Sequence, residues 1–376
     1  MARTINLGII GTGLAVEKLH WPALRRLGNR YEVVAFTNRS REKAEHFAQY
    51  SGTPIDRFVD STDALLANDH VEAVLISLPI ELNYPTTLAA LEAGKHVICE
   101  KPAGATEPES RAFVELVNRF PNQLILVAEN WFYRDDLRFA RSLIDAGVLG
   151  DIHLISWRAV SQLIPRDGEF SSTPWRHHAQ YDGGPHLDAG VHHTAQIRLL
   201  GGDVYRLHGE TQDANSTHSG PSDLTLNLRF KSGAIGSYTA SYPELAVIGE
   251  SNAMAIYGSE GQLVVGRNEI TLARGDGKLT RYRITQQDGG YYNEFLNFHE
   301  ALTASEPLIG TVVQSFRNSE IILKGIESAR KGQVISFGDL PEPLSADAVP
   351  LWKPRDADGP FDGLDVTIDE ETVTVS

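Results

Sequence analysis

"LGIIGTGLAV", residues 7–16, decides the fold of the first third of this 376-residue chain. An apolar run without polar alternation enters Gly11-Thr12-Gly13, the pattern of a strand buried on both faces that delivers the chain into a glycine turn and a helix. Gly11 permits the tight turn, and Gly13 lets backbone approach a pyrophosphate held by amides at a helix N-terminus. Val16 stands where such a fingerprint wants a third Gly or Ala, so the loop by itself also fits a plain strand-to-helix turn. The helix is expected to begin late, because Pro22 is tolerated at a first helical position and costs about 3 kcal/mol in an interior.

Outward from this loop, "YEVVAFT", "VEAVLISLP", "KHVICE" and "LILVAE" alternate with helical segments up to about residue 125. Strand-helix alternation of this kind predicts a parallel sheet with helices on both faces. Past residue 150 the texture changes to half-polar strands, "DIHLISWRAV", "SDLTLNLRFKS" and "AIGSYTASY". Their period of two predicts an antiparallel sheet with one solvated or ligand-facing side. Amphipathic helices are expected near 293–304 and 311–331. From about 344 the chain carries Pro and Gly punctuation and seven acids after Arg355, which reads as an extension or tail, with "VTIDEETVTV" a candidate edge strand.

The net charge of −15 is spread along the chain, which argues against nucleic acid or another polyanion as partner. Cys99 is the only cysteine, so no intrachain disulfide can form. No stretch approaches the roughly 18 apolar residues of a membrane helix, and the first apolar run is too short for a signal peptide, so a cytoplasmic protein is expected.

The end of the second strand bears on the choice of nicotinamide. An acid there would bind a ribose 2′-hydroxyl, but the chain reads "AFTNRSREK". Asn38, Arg39, Ser40 and Arg41 suit a 2′-phosphate, because guanidinium is a planar, bidentate charge match, and NADP is favoured over NAD. A solvated helix start is the other reading. Further on, "ALEAGKHVICEKPAGAT" sets Glu100, Lys101 and Pro102 at the carboxyl end of a strand, where ligands sit in such sheets. A lysine there can hydrogen-bond a substrate hydroxyl and stabilise an alkoxide while hydride leaves; taken singly, Lys101 also fits a surface lysine.

With "GTGLA", "ISLP", the EKP turn, "AGVLGDI" at 146–152 and "GGPHLDAGVHH" at 183–193, residues 5–335 resemble the family of glucose-fructose oxidoreductase, inositol dehydrogenase and MocA. "AENWFY" at 128–133 and "WR" at 175–176 are similar to an NADP-dependent branch of it. The resemblance implies an α/β N-terminal Rossmann domain (1–126) and an α+β C-terminal domain with an open-faced, mainly antiparallel sheet for substrate binding and oligomerisation (127–343). Residues 344–376 are left as an acidic C-terminal extension, and subunits are expected to associate as dimers or tetramers through the sheet. The implied cofactor contacts are Gly11, Thr12, Gly13, Leu14, Asn38, Arg39, Ser40, Pro79, Asn83, Glu100, Lys101 and Asn130. Asn83 replaces a histidine common at that place, and Ala195 a residue that is often acidic; both changes touch substrate choice.

If Pro185 opens a helix over 185–200, Leu187, Val191, Ala195 and Leu199 form its core stripe, and Asp188 and His192, spaced i, i+4, reach a common point. Alone, the pair also fits a helix-face hydrogen bond without function. The resemblance implies that Asp188 orients sugar hydroxyls, His192 is the general base or acid, and Lys101 completes the set. Trp175, Arg176, Tyr181 and His193 are expected to bind substrate; Trp131 fits either a sugar platform or plain packing, and His186 lies further round. A metal held by His186, Asp188, His192 and His193 is the weaker reading, since their spacings do not put three on one helix face. The function expected is hydride transfer between NADP and a sugar-like small molecule. A dinucleotide-binding regulator, or a sugar-processing enzyme that recycles a tightly bound cofactor, are the alternatives.

Overall fold

Five apolar runs form the first sheet: β1 (Ile5–Ile10), β2 (Tyr31–Thr37), β3 (Ala73–Ile76), β4 (His96–Glu100) and β5 (Ile125–Ala128). They pair in parallel in the order β2-β1-β3-β4-β5. Every residue of β3 and β5 is buried, as an unbroken apolar run in a doubly covered sheet requires. The computed structural model describes residues 3–249, 252–285, 288–340, 348–359, 362 and 364–372.

The helices of this half are α1 (Trp21–Leu27), α2 (Arg41–Ser51), α3 (Thr62–Leu66), α4 (Asn83–Glu92) and α5 (Glu107–Arg119). Ser40, Ser61 and Thr106 each accept a backbone N–H in the first turn of α2, α3 and α5. The start of the first helix differs from expectation. The chain is already helical at Leu14, and a π turn, Val16–His20, leads into α1. A proline inside a helix has no N–H to donate and its ring clashes with the carbonyl four residues back, and here a π turn, wider than an α turn, stands immediately before the turn that holds Pro22.

Among the described residues the second sheet has ten strands: β6 (Ile152–Val160), β7 (Val204–Gln212), β8 (Asp223–Phe230), β9 (Ile235–Ser241), β10 (Met254–Gly258), β11 (Gly261–Val265), β12 (Glu269–Arg274), β13 (Lys278–Ile284), β14 (Ile335–Ser336) and β15 (Val366–Thr372). Their order is β14-β7-β8-β9-β6-β10-β11-β12-β13-β15, antiparallel except where β6 pairs β9. In β8, Leu224, Leu226, Leu228 and Phe230 are buried while Thr225 and Asn227 face out, so one side of the sheet is apolar. The remaining helices are α6 (Asp135–Asp145), α7 (Pro174–His177), α8 (Val191–Gly201), α9 (Tyr291–Ala304) and α10 (Val312–Lys331). The end of α10 lies close on the sheet: a Cβ on Gly209 of β7 would stand 2.3 Å from the Gly325 carbonyl oxygen.

Contacts divide the chain into one unit of 1–130 and 290–316 and another of 131–289 and 317–376. This differs from the contiguous 1–126, 127–343 and 344–376 partition. Residues 290–316 belong with the first sheet because Phe295 of α9 meets His20 and Tyr31 edge-on at 5.5 and 5.9 Å, and the Tyr31 hydroxyl donates to the Phe295 carbonyl (2.6 Å). The extension is not a separate tail. Val349 is buried, and Trp352, 3% exposed, packs on Tyr133 (5.9 Å) and under the Arg138 guanidinium (4.8 Å). β15 then pairs with β13 along its length, with Arg281 bonded to Glu371 (2.8 Å) and Arg283 to Asp369. The rest of the expected edge strand, 373–375, lies outside the described residues. Among the described residues no helix is long and apolar enough to cross a membrane.

Candidate active site

In the first unit the two loop glycines have different surroundings. Gly11 has φ +89°, and a Cβ there would fall 2.3 Å from the Ser77 carbonyl oxygen at the end of β3. No atom lies within 4 Å of a Cβ on Gly13, which leaves its backbone open to a ligand. Leu14, half-buried, begins the helical turn after it.

The end of β2 is folded onto this loop. Asn38 donates from Nδ2 to Thr12 Oγ1 (2.9 Å) and accepts the Ser40 N–H (2.9 Å), while Ser40 Oγ caps α2 by accepting the Lys43 N–H (3.3 Å). Arg39 stands exposed between the two. Open backbone at Gly13, a helix start behind it and an exposed guanidinium at the strand end fit a dinucleotide phosphate group.

At the ends of β3, β4 and β5 sit Pro79, Glu100 with Lys101, and Asn130. Pro79 is half-buried and precedes a short 3-10 turn; Asn130, 5% exposed, opens another. Asn83 is fully buried and donates from Nδ2 to the carbonyls of Glu100 (2.9 Å) and Pro102 (3.2 Å), so it braces the turn that presents Lys101. The Lys101–Pro102 peptide is cis, and Lys101 is half-buried. The Glu100 carboxylate is engaged within the protein: one oxygen meets Nε2 of His20 at 2.6 Å, the other accepts the Lys101 N–H (3.1 Å). His20, fully buried beneath edge-on Tyr291 and Phe295, was not singled out from the sequence. Its partner lies 80 residues on, and nothing local separates it from the other twelve of the chain's 13 histidines. Cys99, the residue before Glu100, is buried, and burial pushes its thiol up to about 12, far from a reactive thiolate.

In the second unit, "HLDAG" (His186–Gly190) is a π turn that runs into α8, where a single α-helix was expected. The core stripe holds across the change: Leu187, Val191, Ala195 and Leu199 are each at most 2% exposed. Asp188, in the π turn, and His192, in the first turn of α8, are both half-buried. Arg176 grips Asp188 with two nitrogens, Nε to Oδ2 at 2.6 Å and Nη2 to Oδ1 at 3.3 Å. The guanidinium lies 4.0 Å from the centre of the Trp175 ring, which leans on Tyr181 at 5.9 Å. The structure thus brings Trp175, Arg176, Tyr181 and Asp188 together.

His193 turns toward the sheet, its Nδ1 2.8 Å from the Tyr238 hydroxyl and its ring edge-on to Trp157 at 4.8 Å. Burial, with the nearby charges of His192, His186 and Arg134, holds it down to about 3. His186 is fully buried against Tyr242 (5.1 Å) and burial lowers it to about 4. Among the described residues no group of three or more His, Cys, Asp or Glu is arranged to hold a metal ion.

This arrangement offers a fixed carboxylate and a half-buried imidazole in the second unit, and in the first a half-buried lysine after β4 and an open glycine loop after β1. Comparisons with known proteins give it a family. Residues 5–127 match an oxidoreductase family with an NAD-binding Rossmann fold, and residues 137–264 match the GFO/IDH/MocA C-terminal domain. A scyllo-inositol 2-dehydrogenase (NADP(+)) from Bacillus subtilis is 24% identical over 88% of this chain and 96% of its own length. A 1,5-anhydro-D-fructose reductase from Ensifer adhaerens is 30% identical over 70% of this chain and 76% of its own. The crystal structure of an oxidoreductase from Thermotoga maritima superposes with a TM-score of 0.81 at 31% identity, covering 89% of this chain and 98% of that one. With both of its units matched, this chain is an oxidoreductase of the GFO/IDH/MocA family.

Proposed function

We propose that the protein transfers hydride between NADP and a carbinol or carbonyl carbon of a sugar, polyol or related compound. The observation that carries the reading is the bidentate grip of Arg176 on Asp188, four residues before the half-buried imidazole of His192. A carboxylate locked by a bidentate guanidinium is an aimed acceptor for hydroxyl groups. In the oxidation direction His192 takes the hydroxyl proton, and Lys101 donates a hydrogen bond to the oxygen as negative charge grows on it. The nicotinamide, when bound, supplies the hydride acceptor or donor. The dinucleotide is held by the Gly13 backbone, by Thr12 and by the Asn38–Ser40 corner. Arg39 supports NADP over NAD, because the strand end offers a guanidinium and an amide in place of an acid. The relatives named as a scyllo-inositol dehydrogenase and an anhydrofructose reductase support the sugar-like substrate. Self-association through the solvent face of the second sheet belongs to the same proposal; Tyr205 and Ile235 are each 50% exposed on β7 and β9.

The test titrates purified protein with NADPH and NADH, then screens a panel of sugars, polyols and keto sugars. NADPH should bind more tightly, and Arg39→Ala should remove that preference. Lys101→Ala should abolish turnover while NADPH still binds. Binding without turnover on the whole panel would favour a regulator, and nicotinamide released only on denaturation would favour a recycled cofactor.

A further inference from the structure

A second arginine-tryptophan pair stands on the other reactive side chain. The indole of Trp131 lies parallel to the His192 imidazole, with ring centres 5.4 Å apart and 11° between the planes, and it meets His193 edge-on at 5.6 Å. Parallel, offset rings at this separation attract one another. The Arg134 guanidinium lies 4.4 Å from the centre of the same indole. Arg134 is itself held, by Nε and Nη2 bonds of 3.0 and 2.6 Å to the fully buried carboxylate of Asp136. That carboxylate also accepts the backbone N–H groups of Leu137 (2.9 Å) and Asn268 (3.1 Å). The indole is therefore gripped from a rigid base, and its contact with His192 is built rather than incidental.

We propose that Trp131 is a positioning residue for His192: the stack fixes the plane of the imidazole and its face supports the cation formed when that ring takes a proton. The proposal rests on the reading of His192 as the proton-transferring group. An aromatic face attracts a cation, so the contact strengthens when the imidazole becomes imidazolium. A free imidazole rotates about its side-chain bonds; a stacked one keeps its nitrogens aimed. The competing role, a platform for the sugar, makes a different kinetic prediction. Loss of a platform raises KM, whereas loss of aim lowers kcat.

The experiment compares Trp131→Leu and Trp131→Phe in two ways. In steady-state kinetics with NADP+ and the best substrate of a sugar and polyol panel, Trp131→Leu should lower kcat on the order of 100-fold with little change in KM, and Trp131→Phe should restore most of it. A raised KM with kcat unchanged, or equal activity of Leu and wild type, overturns the proposal. The second measurement needs neither cofactor nor substrate. The emission belonging to Trp131, wild type minus Trp131→Phe, should brighten in His192→Gln, because ring contact quenches indole. No change would show that the rings are not stacked in solution and would overturn the proposal on its own. Brightening in a protein whose wild type turns over nothing on the panel would sink the catalytic reading and, with it, the positioning role, while the stack itself stands.

Discussion

Replacing each loop glycine by alanine separates a turn from a binding site. In Gly11→Ala the new methyl meets a backbone carbonyl, Ser77 O at 2.3 Å, and Leu78 Cδ2 at 2.9 Å, on a residue with φ +89°. Ser77 cannot retreat freely, because its N–H is bonded to Ile10 O (2.9 Å). The left-handed backbone costs an alanine about 1–2 kcal/mol and overpacking about 1–3 kcal/mol more, together about 2–5 kcal/mol. For a unit of this size the melting temperature should fall by roughly 4–20 °C. Gly13→Ala has neither problem: its φ is not positive and its Cβ enters open space. Its stability should be unchanged or raised by up to about 1 kcal/mol, from the stiffer unfolded chain. If the loop cradles the pyrophosphate as proposed, its methyl instead intrudes on that space, so NADPH affinity should drop tenfold or more, equivalent to about 1.4 kcal/mol. Differential scanning calorimetry of the apo variants and isothermal titration with NADPH measure both effects. A Gly13→Ala protein that binds NADPH like wild type would refute the assignment of the loop as a phosphate cradle, and an unshifted melting temperature for Gly11→Ala would refute the steric account.

Acid should destabilise the second unit in a defined window. Burial keeps His193 and His186 neutral down to about 3 and 4, whereas unfolded histidines take up protons near about 6.5. The unfolded state then binds more protons between about pH 6.5 and 4, so stability is lost as pH falls through that range, by up to about 1.4 kcal/mol per unit for each ring. Urea unfolding at several pH values should show a shallower slope in His193→Gln; an identical slope would contradict the buried neutral ring. Trp352→Ala should cost about 3–5 kcal/mol, as for other buried aromatics, while Arg281→Gln on the exposed β13–β15 ladder should cost under about 1 kcal/mol. A loss below about 1 kcal/mol for Trp352→Ala would return residues 348–352 to the status of a loose tail.

Strand positions in the first sheet were readable as apolar runs between helical segments, although Asn6 and Glu32 interrupt β1 and β2, and in the second sheet β6, β8 and β9 were readable because they alternate. The sequence also marked the residues whose chemical type announces them: the loop glycines, Lys101, Asp188 and His192. Three things were not readable, each for a physical reason. The early start of the first helix depends on how a π turn accommodates Pro22, which propensity does not express. The return of residues 290–316 to the first unit depends on Phe295 meeting His20 and Tyr31, a contact between distant segments. The docking of the extension depends on Val349 and Trp352, two apolar residues inside a segment whose acids and glycines dominate its appearance.

The same reason explains why the pairings that support the site stayed hidden, even where Thr12 and Arg176 had themselves been singled out. A polar side chain in a half-buried site must have a partner, since leaving it unpaired costs about 1–3 kcal/mol. The partners here come from elsewhere in the chain: His20 for Glu100, Thr12 for Asn38, Arg176 for Asp188 and Tyr238 for His193, at separations of 80, 26, 12 and 45 residues. Such a partner carries no local pattern, because it is chosen by the fold and not by its neighbours in sequence. It nonetheless decides the aim of the group it holds. Arg176 locks both oxygens of Asp188, so substitutions at Trp175 or Phe170, whose rings lie 4.0 and 5.6 Å from that guanidinium, would re-aim the carboxylate without touching it. On this reasoning substrate choice should vary with the holders while hydride transfer itself is retained. Exchanging Trp175 for leucine should therefore change the rank order of sugars in the panel more than the rate on the best of them.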